Sequence, residues 1–161
     1  MFLSDNVTTQ IGTFALVPRI ARAVKVPVIA AGGIADSAGV SAALLLGAAA
    51  VQIGTAYMLC PEATTTHLHR AALKSDAARA TALTRIFSGR PARGIVNRIM
   101  TDLGPMSDLA PAFPLAAAAL APLRAHAEAR RDTSFSPLWC GQNPSGCAEI
   151  PAGDLTRTLA V

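Results

Sequence analysis

The chain has 161 residues, 52% of them hydrophobic and 15% charged, with a net charge of +4 from scattered arginines. That length supports one domain with a real core, and aromatic content of only 4% beside dispersed basic residues argues against a nucleic-acid surface. No uncharged apolar run reaches the roughly 18 residues of a membrane span, and Met1-Phe2-Leu3 passes at once into Ser4-Asp5-Asn6 without the basic start or apolar core of a secretory signal, so the expected location is cytoplasmic.

Phe2–Thr9 reads as a polar loop. Ile11–Val24 has a helical pattern with Phe14, Val17, Ile20 and Val24 on one face, and Pro18 inside it belongs near the first turn or at a kink. Val26, Val28 and Ile29 then run into Ala30-Ala31-Gly32-Gly33. A short β-branched run ending in glycines predicts a strand buried on both faces, as in a parallel sheet. A helix is expected from Ser37 to Gly47, with Val40, Ala43, Leu44 and Leu46 mostly on one side. Asp36 or Ser37 can cap its start and Gly47 can close its end. A second buried run, Ala50-Val51-Gln52-Ile53, stops at Gly54-Thr55. The stretch is a βαβ unit with a glycine turn after each strand.

Such turns suit anions. Glycines let backbone N–H groups approach a phosphate without Cβ interference, and a following helix N-terminus adds partial positive charge. In (β/α)₈ barrels the phosphate site commonly lies in the loops after the last two strands. Gly32-Gly33 and Gly54-Thr55 are therefore either two halves of one cradle, with the Thr55 hydroxyl a further donor, or plain turns that end strands tightly. Gln52 interrupts an apolar run, and a buried amide needs a partner, either a bound group or a backbone carbonyl.

Beyond Tyr57, Cys60 reads as a small core side chain. Pro61-Glu62 opens a helical segment to about Ser75 that carries His67 and His69. Neighbours two apart on a helix point about 200° from each other, so these histidines cannot share a metal and are expected to face solvent. In Thr81–Ile99 the Ser88-Gly89-Arg90-Pro91 turn predicts a hairpin-like excursion or an extended loop. Arg90 and Arg93 there either approach an anion or belong to a solvated basic loop. Asn97–Leu103 is a short helix ended by Gly104-Pro105, and Pro114–Arg131 is the clearest helix by propensity, with Pro114 in its first turn and Pro122 kinking or dividing it. His126 is expected at the surface. Within the loop Asp132–Ile150, Trp139 is a packing anchor and Gln142 a possible cofactor contact; Pro151–Leu159 closes the chain as a helix with Asp154 in its first turn. Cys60, Cys140 and Cys147 match no common zinc spacing and read as reduced thiols, and no metal site is expected.

A family resemblance rests on these residues. AAGGIADSAGVSAALLLGAAAVQIGTAYMLCPEA, FSGRPARGIVNRIM at Phe87–Met100, SDLAPAFPLAAAALAPLRAHAEA and the closing WCGQ at Trp139–Gln142 together resemble the nitronate monooxygenases, formerly 2-nitropropane dioxygenases. The resemblance covers nearly the whole chain, whereas the IMP dehydrogenase-like barrels share only the shorter GGI and GT elements. It implies an oxidoreductase, a flavoprotein that holds FMN on a TIM barrel and turns an alkyl nitronate and O₂ into a carbonyl compound and nitrite. The implied fold is α/β: the last βα units of a partial (β/α)₈ barrel, with phosphate-binding turns in residues 1–60, followed by a mostly helical part in 61–161, the whole a single C-terminal fragment. The implied cofactor-binding residues are Gly32, Gly33, Gln52, Ile53, Gly54 and Thr55.

The family's catalytic histidine lies in a Gly-Gly-His-Arg-Gly motif that has no counterpart here, and His67, His69 and His126 do not replace it. MFLSDNVTTQIGTFAL resembles the family text just after that motif, so Met1 is expected to correspond to an internal methionine. The chain alone is expected to be inactive or nearly so, possessing about half a cofactor site. Two alternatives stand beside this: an FMN-dependent enoyl reductase of the same barrel superfamily, and a non-catalytic fragment whose strand edges pair with a separate N-terminal half.

Overall fold

The computed structural model describes residues 6–161; the readings that fall on residues 1–5, among them the internal methionine and the start of the opening loop, lie outside them. Contacts divide the chain into two compact units. One comprises Gln10–Thr65 and Gly141–Val161, and the other residues 6–9 and Thr66–Cys140. The division does not fall at residue 60, because Gly141–Val161 folds back onto the βα elements. Among the described residues the fold is α/β and closes no barrel.

The first unit carries the βαβ motif. Helix α1 (Thr13–Ala23) leads to strand β1 (Ile29–Ala31), helix α2 (Ser37–Leu45) and strand β2 (Ala50–Gln52). β1 and β2 pair in parallel, with Ile29 opposite Ala50 and Ala31 opposite Gln52. Asp36 caps α2, its Oδ1 accepting from the Gly39 N–H at 2.7 Å, and Gly47 takes the left-handed conformation (φ +100°) just past the helix end. Both ends are as the residues predict.

Burial is not as predicted. Ala30 packs with Val17 of α1, Ala43 of α2 and Ala48 in one buried cluster. Side chains alternate across a strand, so Ile29 and Ala31 face away from both helices, and Ile29 is 62% exposed. The strands are thus covered on one face, not two. The helix faces are narrower than their patterns: Phe14 is 74% exposed and Leu44 also points outward. A two-stranded sheet offers too little surface to cover a full apolar helix face. The closing helix α6 (Ala152–Leu159) buries Leu155 and Leu159 against Ala56 and Cys60, with Ile53 and Tyr57 at the margin.

The second unit is built on a hairpin. Strands β3 (Thr81–Thr84) and β4 (Ala92–Ile95) pair antiparallel, with Thr81 opposite Ile95 and Thr84 opposite Ala92. Of the two expected forms of this stretch, the hairpin is the one found. The Leu138 carbonyl accepts from Ile95 N at 2.8 Å, and Trp139 bridges to Gly94 beside it. Phe87 meets the Trp139 ring edge-on, centroids 5.8 Å apart, next to buried Ile86, Ile99 and Met100. Trp139 is the packing anchor the sequence suggested.

Helix α3 (His67–Leu73) starts six residues later than predicted. Pro61 and Glu62 lie instead in a turn closed by the Ala63 N–H on the Cys60 carbonyl, and Thr66, a favoured cap residue, receives the His69 N–H. Helix α4 (Arg98–Leu103) ends at Gly104 as expected. Helix α5 (Ala116–Glu128) runs unbroken through Pro122, and Pro114, joined to Phe113 by a cis bond, stands outside it. Residues 61–161 therefore hold a hairpin and long loops besides short helices.

His69 departs from its expected solvent-facing role. It is half-buried, with Nε2 3.0 Å from the Trp139 carbonyl oxygen. Burial lowers its pKa below the ordinary histidine value, partly offset by that hydrogen bond. With the folded value depressed, the unfolded chain binds more protons as pH falls through the ordinary histidine range. Stability is then full above about pH 6.5 and declines below it. Denaturant midpoints at pH 7.5 and 5.5 are expected to show this loss, and His69→Gln, which can still donate to Trp139, is expected to flatten it.

Candidate functional site

The two glycine corners meet in one cavity of about 300 Å³. It is lined by Ala31, Gly32, Gly33, Ile34, Gln52, Ile53, Gly54, Thr55, Gly141 and Asn143. All six residues named from the sequence are among these. Adjacent parallel strands end at the same level, so the turns leaving their C-terminal ends are neighbours by construction.

The backbone at these corners needs glycine for two different reasons. Gly32 and Gly33 are left-handed, at φ +105° and +77°, a region that costs an L-residue about 1–2 kcal/mol. Gly54 has an ordinary φ of −107°, yet a Cβ built there meets no atom within 4 Å. Its lack of a side chain keeps cavity space open rather than permitting a turn. That is the requirement of a backbone approached closely by a ligand.

Polar groups fix these corners. The Thr13 hydroxyl lies 3.2 Å from the Ala31 carbonyl oxygen and 3.0 Å from that of Gly32, donating to them from the first turn of α1. Thr55 Oγ1 accepts from Gly141 N at 2.9 Å, which leaves the Thr55 hydroxyl proton able to donate. Asn143 Nδ2 donates to the Gly33 carbonyl at 3.3 Å. Among the described residues no lysine or arginine lines the cavity, so an anion there would be held by amides and hydroxyls.

Gln52 does not fit its predicted environment. Its side chain is exposed at the rim, because β2 has no covering layer on that face, and it therefore demands no buried partner. Gln142 lines an adjoining cavity of about 310 Å³ with Thr13, Gly32 and Gly33. Arg93 donates from Nη1 to the Thr81 carbonyl at 3.1 Å, and the Arg90 guanidinium sits over the Phe113 ring at 5.4 Å. Both belong to the hairpin unit and neither lines the cradle. An apolar cavity of about 150 Å³ in that unit, between Ile86, Ile99 and Leu120, offers no polar side chain to a phosphate.

The sequence missed Thr13, Gly141 and Asn143. The clue to the last two was the quoted WCGQ motif and the polar residues that follow it, but nothing local told which corner they would reach. Cys60 and Cys140 are buried, and burial pushes the Cys140 thiol up, away from a reactive thiolate. Among the described residues no helix is long and apolar enough to cross a membrane.

Comparison with known proteins decides the family. The family model for nitronate monooxygenase matches residues 4–161. The chain belongs to the nitronate monooxygenase family. A nitronate monooxygenase of Pseudomonas aeruginosa is 46% identical over 160 residues, covering 99% of this chain and 46% of its own length. One from Paraburkholderia phytofirmans is 40% identical, covering 99% of this chain and 44% of its own. The chain therefore spans less than half the length of these nitronate monooxygenases. Among solved structures, the nitroalkane oxidase of Streptomyces ansochromogenes superposes with a TM-score of 0.85 at 38% identity, covering 92% of this chain and 42% of the other. FabK from Thermotoga maritima superposes with a TM-score of 0.74 at 30% identity, covering 93% and 48%. The matched part of this family includes both glycine corners.

Proposed function

We propose that these residues form the phosphate-binding part of an FMN site in a nitronate monooxygenase. The observation that carries the proposal is the meeting of Gly32-Gly33 and Gly54-Thr55 at one cavity where a Cβ at Gly54 would enter open space. Gly32, Gly33 and Gly54 would receive the ribityl phosphate on backbone amides, and the Thr55 hydroxyl would add a donor. Ile53 is half-buried beside Ala56 and Leu155 and holds the β2 end in place from beneath. Gln52, at the exposed rim, would contact the cofactor only at its edge. The last βα units of a (β/α)₈ barrel are the setting in which such paired corners bind phosphate.

FMN, when bound, supplies the redox chemistry by which an alkyl nitronate and O₂ give a carbonyl compound and nitrite. The contribution of this chain's residues is to bind and orient it. No base is assigned among the chain's three histidines: His69 is engaged with the Trp139 carbonyl, His67 lies exposed in the first turn of α3, and His126 lies exposed on α5 against Arg130. Turnover is assigned to the family enzyme as a whole, of which a polypeptide bearing the catalytic histidine is part.

Purified chain mixed with FMN and an alkyl nitronate is expected to give no O₂ uptake above that of free FMN. Substantial nitronate-dependent uptake would overturn the assignment of inactivity. Oxidation of NADH in its place, coupled to an enoyl substrate, would favour the enoyl reductase alternative.

A further inference from the structure

The loop that follows Trp139 returns to the glycine corners from 86 to 110 residues away in sequence. Gly141 N donates to Thr55 Oγ1, Asn143 Nδ2 to the Gly33 carbonyl, and Cys147 Sγ to the Thr55 carbonyl at 3.2 Å. A Cβ at Gly146 would lie 2.1 Å from the Ala35 carbonyl oxygen, so this loop also presses on the chain just past the first corner. On the reading that these corners take the FMN phosphate, we propose that the 141–147 loop is a splint, with Asn143 its principal positioning residue.

The physical reason begins with glycine. Consecutive left-handed glycines lose more conformational freedom on folding than other residues, and a loop of them does not hold an anion-binding shape unaided. A trans peptide is planar, so fixing a carbonyl fixes the N–H that shares its plane. Asn143 on the Gly33 carbonyl thus fixes the Gly33–Ile34 peptide plane and with it the corner that presents the Gly32 and Gly33 amides, and Cys147 on the Thr55 carbonyl fixes the Thr55–Ala56 plane beside Gly54. Gly141 occupies a lone pair of the Thr55 hydroxyl and leaves the proton to donate. The Asn143 amide is itself oriented: its Oδ1 accepts from Ser145 N at 3.2 Å and lies 2.6 Å from Ser145 Oγ, so the NH₂ must face Gly33. Donors held in place before binding cost less to order when the ligand arrives.

Two variants test this. Asn143→Ala removes the donor, and Asn143→Asp removes it while keeping the acceptor for Ser145. Flavin fluorescence titrations of the whole chain with FMN and with riboflavin, which lacks the phosphate, are run beside amide hydrogen exchange of the ligand-free protein. FMN affinity is expected to fall about three- to tenfold in Asn143→Ala and further in Asn143→Asp, riboflavin affinity to stay unchanged, and exchange at Ile34 to quicken in both. Equal losses for FMN and riboflavin would mark a merely structural residue and overturn the proposal, as would unchanged FMN affinity. If the unaltered chain binds FMN no tighter than riboflavin, the phosphate reading itself fails. The splint is then judged on exchange alone, where an unchanged Ile34 rate in both variants overturns it.

Discussion

Gly54→Ala is expected to lower FMN affinity at least about tenfold while leaving the unfolding midpoint of the chain unchanged. The backbone at Gly54 lies at φ −107°, which alanine adopts without strain, and its new methyl would touch no protein atom within 4 Å. A stability cost is therefore not expected. The methyl does enter the cavity shared by the two corners, where a phosphate oxygen making two or three amide hydrogen bonds would sit, and losing even a charge-assisted pair accounts for the tenfold figure. Gly54→Asp adds like charge and is expected to abolish detectable binding. Titration of each variant by flavin fluorescence, with a denaturant melt alongside, reads both effects. Unchanged affinity in Gly54→Ala would mean that the open space is not where the ligand binds.

The largest stability effect is expected at Gly89, in the hairpin unit. Gly89 is left-handed at φ +82°, and a Cβ there would stand 2.3 Å from Phe113 N and 2.6 Å from the Pro111 carbonyl oxygen. Both obstacles are backbone and cannot swing aside. Strain and overpacking together predict a loss of about 2–5 kcal/mol for Gly89→Ala. Gly104 separates the two terms: it is left-handed at φ +77° with no atom within 4 Å of a built Cβ. Gly104→Ala is expected to lose only the strain, about 1–3 kcal/mol at φ +77°, ψ 135°. Urea unfolding of both variants checks the difference; similar losses would mean that the turn relaxes away from Phe113.

What the sequence made legible is what local chemistry decides. Asp36 and Gly47 bracket α2 because a short carboxylate and a left-handed glycine serve helix ends wherever they occur. The strand–helix–strand period let Gly32-Gly33 and Gly54-Thr55 be read as halves of one cradle or as plain turns, and both corners line one cavity. Contacts made at a distance were not legible. Nothing near Asn143 points to Gly33, 110 residues earlier, and nothing near His69 points to the Trp139 carbonyl. Gln52 misled for a related reason: an apolar run implies burial, but two strands leave one face uncovered. Thr66 took the helix start from Pro61 because cap chemistry at the end of three threonines outweighs a favourable first-turn proline.

The claim that the paired corners hold phosphate is tested most directly by following backbone amide resonances of the isotope-labelled chain as FMN is added. The cradle predicts the largest perturbations at Gly32, Gly33, Gly54 and Thr55, reproduced in part by inorganic phosphate and absent with riboflavin at those amides. Perturbations confined to the hairpin around Arg90 and Arg93, with the four corner amides unmoved, would contradict it.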